Sequence, residues 1–227
     1  MIKYIMTDVE GTTTSISFVH ETLFPFAKKR LADFCRENAN SEVVKEALST
    51  TKETVKTEEA KELNNEEAIE KLLYWIQTDR KHPALKSLQG YIWEEGYKSG
   101  EVKGHIYDDV PAALLKWKNA GLILGVYSSG SVKAQHLIYE YSDKGNLRPF
   151  FSFHFDTKVG HKRETNSYEN IVKELKTTPE SILFLSDIKE ELDAARAVGL
   201  KTIQLVRQDD VILGDHPKVH SFSEITF

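Results

Sequence analysis

Two carboxylates stand two residues apart where a short apolar run ends: Ile2, Tyr4, Ile5 and Met6 lead into Asp8-Val9-Glu10-Gly11-Thr12. In extended backbone, residues two apart point the same way, so Asp8 and Glu10 face one space. Two acids aimed together repel, unless a cation sits among them or one carboxyl keeps its proton. Both conditions suit phosphoryl transfer, with one acid as nucleophile, its neighbour as acid/base, and Mg²⁺ between them. Three more features follow apolar runs later in the chain: Ser128 with Ser129, Lys162, and Asp187. Their chemistry is complementary. Such a reaction needs an in-line nucleophile, donors for the equatorial oxygens, a cation for developing charge and a proton donor for the leaving group. Asp8 can attack phosphorus to form an aspartyl-phosphate, and Glu10 can protonate the leaving oxygen and then activate water. Ser128 and the amides beside Gly130 can hold phosphate oxygens. Lys162 balances charge, and Asp187 completes an oxygen-rich Mg²⁺ site. Each residue has a plainer reading. One of the serines 128, 129 and 131 caps a helix, Asp187 caps another, and Lys162 is a solvated lysine. The weight lies in all four features following strands.

The elements that position them read as alternating strand and helix from residue 108 onward. Asp109 is expected to cap a helix with Pro111 in its first turn, ended by Gly121. Leu122–Tyr127 is a compact apolar strand, Val132–Tyr141 a helix, and Phe150–Phe155 another strand. A helix through Tyr168, Ile171, Val172 and Leu175 follows. Next come a strand at Ile182–Leu185, a helix at Leu192–Val198 and a last strand at Thr202–Val206. Repeated βα units predict an α/β fold, a parallel sheet with helices on both faces, whose ligands sit at the carboxyl ends of the strands. Residues 16–100 read differently. Phe18 to Cys35 recur at helical spacing, with a bend or a restart of the helix expected at Pro25. Residues 41–70, rich in Glu, Lys, Ala and Thr, read as solvated helices linked by polar turns. Ala68 to Ile76 and the stretch after Pro83 supply two further apolar helix faces.

Composition narrows the function classes. Of 227 residues, 40% are hydrophobic and 29% charged, as in an ordinary globular protein. A net charge of -5 without a dense basic run argues against general nucleic-acid binding. The single cysteine, Cys35, excludes an intramolecular disulfide and fits a reducing compartment. No apolar segment approaches membrane-spanning length and the N-terminus lacks a signal peptide's apolar core, so a cytoplasmic protein is expected.

The four ordered features resemble the motifs of the haloacid dehalogenase superfamily of phosphatases. Most members carry a second aspartate where this chain has Glu10. That departure, within Asp8-Val9-Glu10-Gly11-Thr12-Thr13-Thr14, resembles the enolase-phosphatase branch, which serves methionine salvage. Leu85-Lys86-Ser87-Leu88-Gln89-Gly90-Tyr91-Ile92-Trp93, Tyr127-Ser128-Ser129-Gly130-Ser131 and Phe155-Asp156-Thr157-Lys158-Val159-Gly160-His161-Lys162 support the same branch. The resemblance implies a Rossmann-like core made of residues 1–15 and 101–227, with 16–100 inserted as an all-helical cap. It implies that the strands bearing Asp8, Ser128 and Asp187 lie side by side. It implies Mg²⁺ held by Asp8, Glu10 (through its main-chain carbonyl) and Asp187, with Glu191 in support, and substrate phosphate held by Ser128, Ser129 and Lys162. The implied substrate is a phosphorylated diketone, 2,3-diketo-5-methylthiopentyl-1-phosphate, enolised and then dephosphorylated. A monomer in the cytoplasm, or also in the nucleus of a eukaryotic cell, is expected, with neither nucleic-acid nor membrane partners.

Other patterns fail on inspection. Gly125-Val126-Tyr127-Ser128-Ser129-Gly130 has the glycine spacing of a phosphate loop, but Ser131-Val132 replaces its Lys-Ser/Thr. His216 and His220 lack a third metal ligand and read as surface loop. Trp75, Tyr91 and Trp93 read as helical core. Two alternatives stand beside the main reading: a phosphatase of the same superfamily acting on a simple phosphate ester, and a non-catalytic phosphometabolite-binding module. For the base that enolises the diketone, Glu10, His20 and Glu21 are equal candidates.

Overall fold

The computed structural model describes residues 1–226. The chain divides into two compact units, Met1–Ile16 with Lys103–Phe227, and Ser17–Val102. The first unit is built on six strands in the order β3-β2-β1-β4-β5-β6. These are β1 (Tyr4–Thr7), β2 (Ile123–Tyr127), β3 (Phe151–Phe155), β4 (Ile182–Ser186), β5 (Lys201–Leu205) and β6 (Lys218–Val219). Every pairing is parallel, and β1 lies between β2 and β4. The short β6 was not visible as an apolar run. Phe150 closes a 3₁₀ turn instead of opening β3.

Burial on both faces explains the continuous apolar runs. Met6, Tyr127, Phe155, Ile182 and Phe184 form one core with Tyr168 and Ile171 of α8 (Thr165–Glu174) and Leu192 and Ala195 of α9 (Lys189–Val198). The alternate residues Ile5, Leu124, Val126, Leu183 and Leu185 are equally buried on the opposite face. There α6 (Val110–Asn119) packs on β2, and α7 (Val132–Glu140) packs on β3. Asp109 does not cap α6. Its own backbone is helical and its carboxylate is taken by Arg207 in two bonds of 2.9 Å. His216 is buried, not on a surface loop, between Thr202 Oγ1 (2.9 Å) and Asp193 Oδ1 (3.1 Å). His220 is exposed.

The second unit is helical throughout. From α1 (Ile16–Phe18) the chain passes a π turn at Val19–Leu23 and continues as α2 (Phe24–Glu37). Pro25 sits in the first turn of α2, where its missing N–H has no helical partner to lose, so of the two expected outcomes the helix restarts. Residues 41–70 are helices joined by a polar turn, as read, but they are not simply solvated. One continuous α3 (Glu42–Glu59) is capped by Ser41 and buries Val44, Ala47, Leu48, Thr51 and Val55. Small apolar groups at helical spacing make that stripe narrow, and the long charged side chains around it hide it in the sequence. A capping box of Asn64 and Glu67 opens α4 (Asn65–Gln77). Pro83 opens α5 (Pro83–Ser99). Leu31, Leu72, Trp75, Leu88 and Ile92 fill the core between these helices. Trp93 packs against that core, but Tyr91 is exposed.

At Gly125 on β2, a Cβ would come within 2.0 Å of the Phe153 ring on the neighbouring strand. Gly125→Ala is therefore expected to lower stability by ~1–3 kcal/mol through overpacking. Relief by Phe153→Leu in the double variant, followed by thermal unfolding, checks that the ring is the cause; an unshifted melting temperature in Gly125→Ala would refute it.

Candidate active site

Parallel register brings the expected residues to one edge. Thr7 pairs with Val126 and with Leu185, so Asp8 emerges level with Tyr127 and Ser186. Ser128 and Asp187 follow one step beyond, on either side. The Asp8 N–H still reaches the sheet, donating to Leu185 O at 2.8 Å. The chain then folds back over itself: Thr13 N and Thr14 N both donate to Val9 O, at 2.9 and 3.0 Å. Gly11 makes this turn at φ +73°, and a Cβ there would lie 2.3 Å from Asp187 Oδ2.

Lys162 is not a solvated lysine. Its side chain is 4% exposed, with Nζ 2.5 Å from Asp8 Oδ1 and 2.6 Å from Glu191 Oε2. Burial pulls its pKa down, but the Asp8 and Glu191 charges outweigh burial and hold the ammonium charged, above its ordinary range. Glu191 also accepts from Ser186 Oγ at 2.9 Å. Ser128 Oγ donates to Glu10 Oε2 (3.2 Å) and accepts from Gly130 N (3.0 Å), so the serine bridges the first and second strand ends. Ser129 lies exposed next to it. The capping serine is Ser131, which accepts from Ala134 N. Asp187 caps nothing: Ile188 occupies the cap position of α9. Asp187 instead meets Thr12, whose hydroxyl accepts from Asp187 N (3.2 Å) and donates to Asp187 Oδ1 (3.4 Å). His20 and Glu21 belong to the helical unit, exposed in its π turn.

The electrostatics leave the carboxylates short of positive charge. Burial, then the Asp8 charge, push Asp187 up to about 8 and the Glu10 carboxyl above its usual range. Burial likewise raises Glu191 to about 7 against the opposing pull of Lys162. Lys162 bonds Asp8 and Glu191, and its charge offsets only part of what raises Glu10 and Asp187. Among the described residues, no three His, Cys, Asp or Glu side chains form a metal cage. That geometry still fits Mg²⁺, which keeps several waters and takes one or two carboxylates instead of a full protein cage. The excess of buried oxygen-bearing acids over cations gives such an ion its place.

Two residues here escaped the sequence reading. Gln204 of β5 is fully buried; its amide donates to Asp187 O (2.8 Å) and Ile212 O (2.9 Å) and accepts from Gly214 N (2.9 Å). Its signal was a lone amide inside the run Thr202–Val206. The Thr12 hydroxyl had no signal beyond its place in the first motif.

The family model described as haloacid dehalogenase-like hydrolase matches residues 2–199. Enolase-phosphatase E1 of Enterobacter sp. (strain 638) is 48% identical over 225 residues, covering 99% of this chain and 97% of its own. Enolase-phosphatase E1 of Klebsiella pneumoniae (strain 342) is 49% identical over the same shares. Among solved structures, UTR4 protein from Saccharomyces cerevisiae superposes with a TM-score of 0.83 at 32% identity, over 99% of this chain and 100% of that one. The chain belongs to the haloacid dehalogenase-like hydrolases, in their enolase-phosphatase branch.

Gly11→Ala tests how tightly Asp187 is placed. Positive φ costs an L-residue ~1–2 kcal/mol, and the new methyl must displace the carboxylate. Turnover of a phosphate ester is expected to fall ~10²-fold, the usual consequence of a misplacement near 1 Å. Steady-state kinetics with thermal unfolding as control check this; near wild-type turnover in a folded variant would show that Asp187 gives way freely.

Proposed function

We propose that this chain converts 2,3-diketo-5-methylthiopentyl-1-phosphate to the acireductone 1,2-dihydroxy-3-keto-5-methylthiopentene and inorganic phosphate, by enolisation followed by hydrolysis of the phosphate ester. The observation that carries the phosphatase step is the buried contact of Asp8 with Lys162 at the end of β1. The choice of substrate is supported by the enolase-phosphatases that match 99% of the chain.

Asp8 is the nucleophile. One carboxylate oxygen forms the bond to phosphorus as the bond from phosphorus to the leaving oxygen breaks. The Asp8 oxygen bonded to Lys162 fixes the orientation of the other. Glu10, whose raised pKa favours the protonated form, gives its proton to the leaving enol oxygen. The resulting carboxylate then takes a proton from the water that hydrolyses the aspartyl-phosphate. Ser128, with Ser129 and the amide of Gly130 beside it, donates to phosphate oxygens, and Lys162 balances their charge. Asp8, Asp187 and the main-chain carbonyl of Glu10 hold Mg²⁺. When bound, this ion supplies charge for the phosphoryl group and Lewis-acid polarisation for the diketone oxygens. Residues 16–100, the helical stretch, serve as the cap domain of this enzyme. The enzyme works as a monomer in the cytoplasm, in keeping with one buried thiol and no disulfide.

The decisive experiment follows ultraviolet absorbance and inorganic phosphate together on the diketone phosphate. Wild type is expected to give both signals with Mg²⁺ and neither after EDTA. Asp8→Asn should cut phosphate release by ~10³-fold or more, while retaining part of the absorbance change from the phosphorylated enol. Phosphate release without a conjugated enediol would instead identify a phosphatase of simple esters. Near wild-type release by Asp8→Asn would remove Asp8 from its role.

A further inference from the structure

Arg207, just past β5, is tied into the site from behind. Its side chain is 6% exposed. Nη1 and Nη2 grip the two oxygens of Asp109 at 2.9 Å each, a two-pronged contact that fixes the plane of the guanidinium. Nε donates to the main-chain oxygen of Thr12 at 3.2 Å, and Nη1 also reaches His220 O at 3.2 Å. The Tyr107 ring covers the guanidinium at 4.4 Å and the Phe222 ring at 5.3 Å. Asp109 is itself immobilised, since Phe222 N donates to its second oxygen at 2.5 Å. Residues 107–109, 207 and 220–222 therefore form one clamp, which meets the loop after β1 at the Thr12 carbonyl through Arg207 and at the Thr13 carbonyl through Tyr107 N (3.0 Å).

That carbonyl belongs to the residue that places Asp187. Thr12 is fully buried, and its hydroxyl both accepts from Asp187 N and donates to Asp187 Oδ1. The Thr12 N–H, by contrast, reaches Val9 O only at 3.3 Å. The loop's shorter bonds fix the residues on either side, Gly11 N to Thr14 O at 2.8 Å and Thr13 N to Val9 O at 2.9 Å, while Arg207 acts on the Thr12 carbonyl itself. A pair of buried ions is a poor means of stabilisation alone, because desolvation offsets most of its attraction. Its planar fork is, however, well suited to setting the position of an acceptor.

We infer that Arg207, oriented by Asp109, is a positioning residue that holds Thr12 in register with Asp187 and so sets the affinity of the site for its divalent cation. The inference rests on the reading of Asp187 as a metal ligand. Arg207 bonds Asp109, Thr12 O and His220 O, and it acts on the cation site through Thr12 and Asp187. Lysine keeps the charge at 207 but has no fork, so it cannot hold both oxygens of Asp109 and the Thr12 carbonyl together.

The test is Mg²⁺ binding to the purified full chain, measured by titration calorimetry, with kcat and KM for phosphate release and a melting temperature for each variant. Arg207→Lys is expected to weaken Mg²⁺ binding ~10-fold, within the ~10–100-fold range for residues that orient metal ligands. It should lower kcat at fixed Mg²⁺ while leaving KM for the phosphorylated substrate near wild type. Asp109→Asn and Thr12→Val should each reproduce the shift, Thr12→Ser should restore it, and Arg207→Lys combined with Thr12→Val should add little. Should Arg207→Lys fail to fold, the Thr12 pair and Asp109→Asn decide by the same measurement. A lower melting temperature with unchanged Mg²⁺ affinity and kcat would make the clamp a staple of the C-terminal segment alone, and overturn the inference. Asp187→Asn runs alongside. If it weakens Mg²⁺ binding while the clamp variants do not, only this inference falls; if it too has no effect, the metal reading of Asp187 falls with it.

Discussion

One buried ammonium holds this site together. Lys162 meets Asp8 and Glu191 within 2.6 Å, and removing any member of the three leaves a buried charge without its partner. Three separate segments converge there: the end of β1, the loop that follows β3, and the first turn of α9. Each is independently anchored. Tyr168 of α8 donates to Lys162 O at 2.7 Å, and Tyr127 to Gly160 O at 3.0 Å, so two buried phenols fix the backbone that carries the lysine. Ser186 fixes Glu191 from the other side. The rings of Tyr127 and Phe184 lie under the ammonium at 5.7 and 5.9 Å, where their faces favour a cation. The lysine arrives at the nucleophile already oriented, at no entropic cost to the reaction step.

Parallel pairing explains why so few residues suffice. Strands that run the same way end together, so a one-step register places Ser128 and Asp187 on the two flanks of Asp8 without any loop having to reach across. Beyond the strands, the backbone is tied down by side chains. Gln204 uses both its amide hydrogens and its oxygen to hold the Asp187 carbonyl, the Ile212 carbonyl and Gly214 N. Tyr139, fully buried in α7, holds Thr13 at 2.8 Å from the opposite side of the loop. Loops alone would leave Asp8, Glu10 and Asp187 free to separate under their mutual repulsion.

What the sequence disclosed follows from which interactions leave local patterns. Apolar runs ending in Asp8, Ser128 and Asp187 are continuous in the chain, so strands, parallel sheet and site edge could be read from them. Asp109 shows the limit. Its spacing to Pro111 has the form of a helix cap, but the carboxylate turns to Arg207, ninety-eight residues away. A long-range charge pair outweighs a single backbone bond, and nothing near Asp109 announces it. His216 was misjudged for the same reason, since its partners Thr202 and Asp193 lie on other elements. Residues 41–70 misled through composition: Val44, Ala47, Leu48, Thr51 and Val55 form a buried stripe too thin to outweigh the Glu and Lys around it.

The two units differ in what fixes their atoms, and the difference tracks their tasks. Among the described residues, the buried polar and charged side chains lie almost wholly in the first unit; within Ser17–Val102 they are Thr51, His82 and Gln89. Thr51 bonds back to Ala47 O within its own helix, and His82 accepts from Ala84 N at the start of another. The ion pairs of the helical unit, such as Arg36 with Glu66 and Arg80 with Glu58, are largely exposed and contribute little to stability. Its order therefore comes from apolar packing, which conserves volume and tolerates small adjustments of side chains. A buried hydrogen bond is directional and loses its value within a few tenths of an ångström, so it fixes position and not merely volume. Transfer of a phosphoryl group requires several oxygens held to that accuracy at once. The sheet unit meets the requirement with buried polar contacts that begin at Lys162 and extend, through Thr12 and Gln204, well behind the residues that do the chemistry.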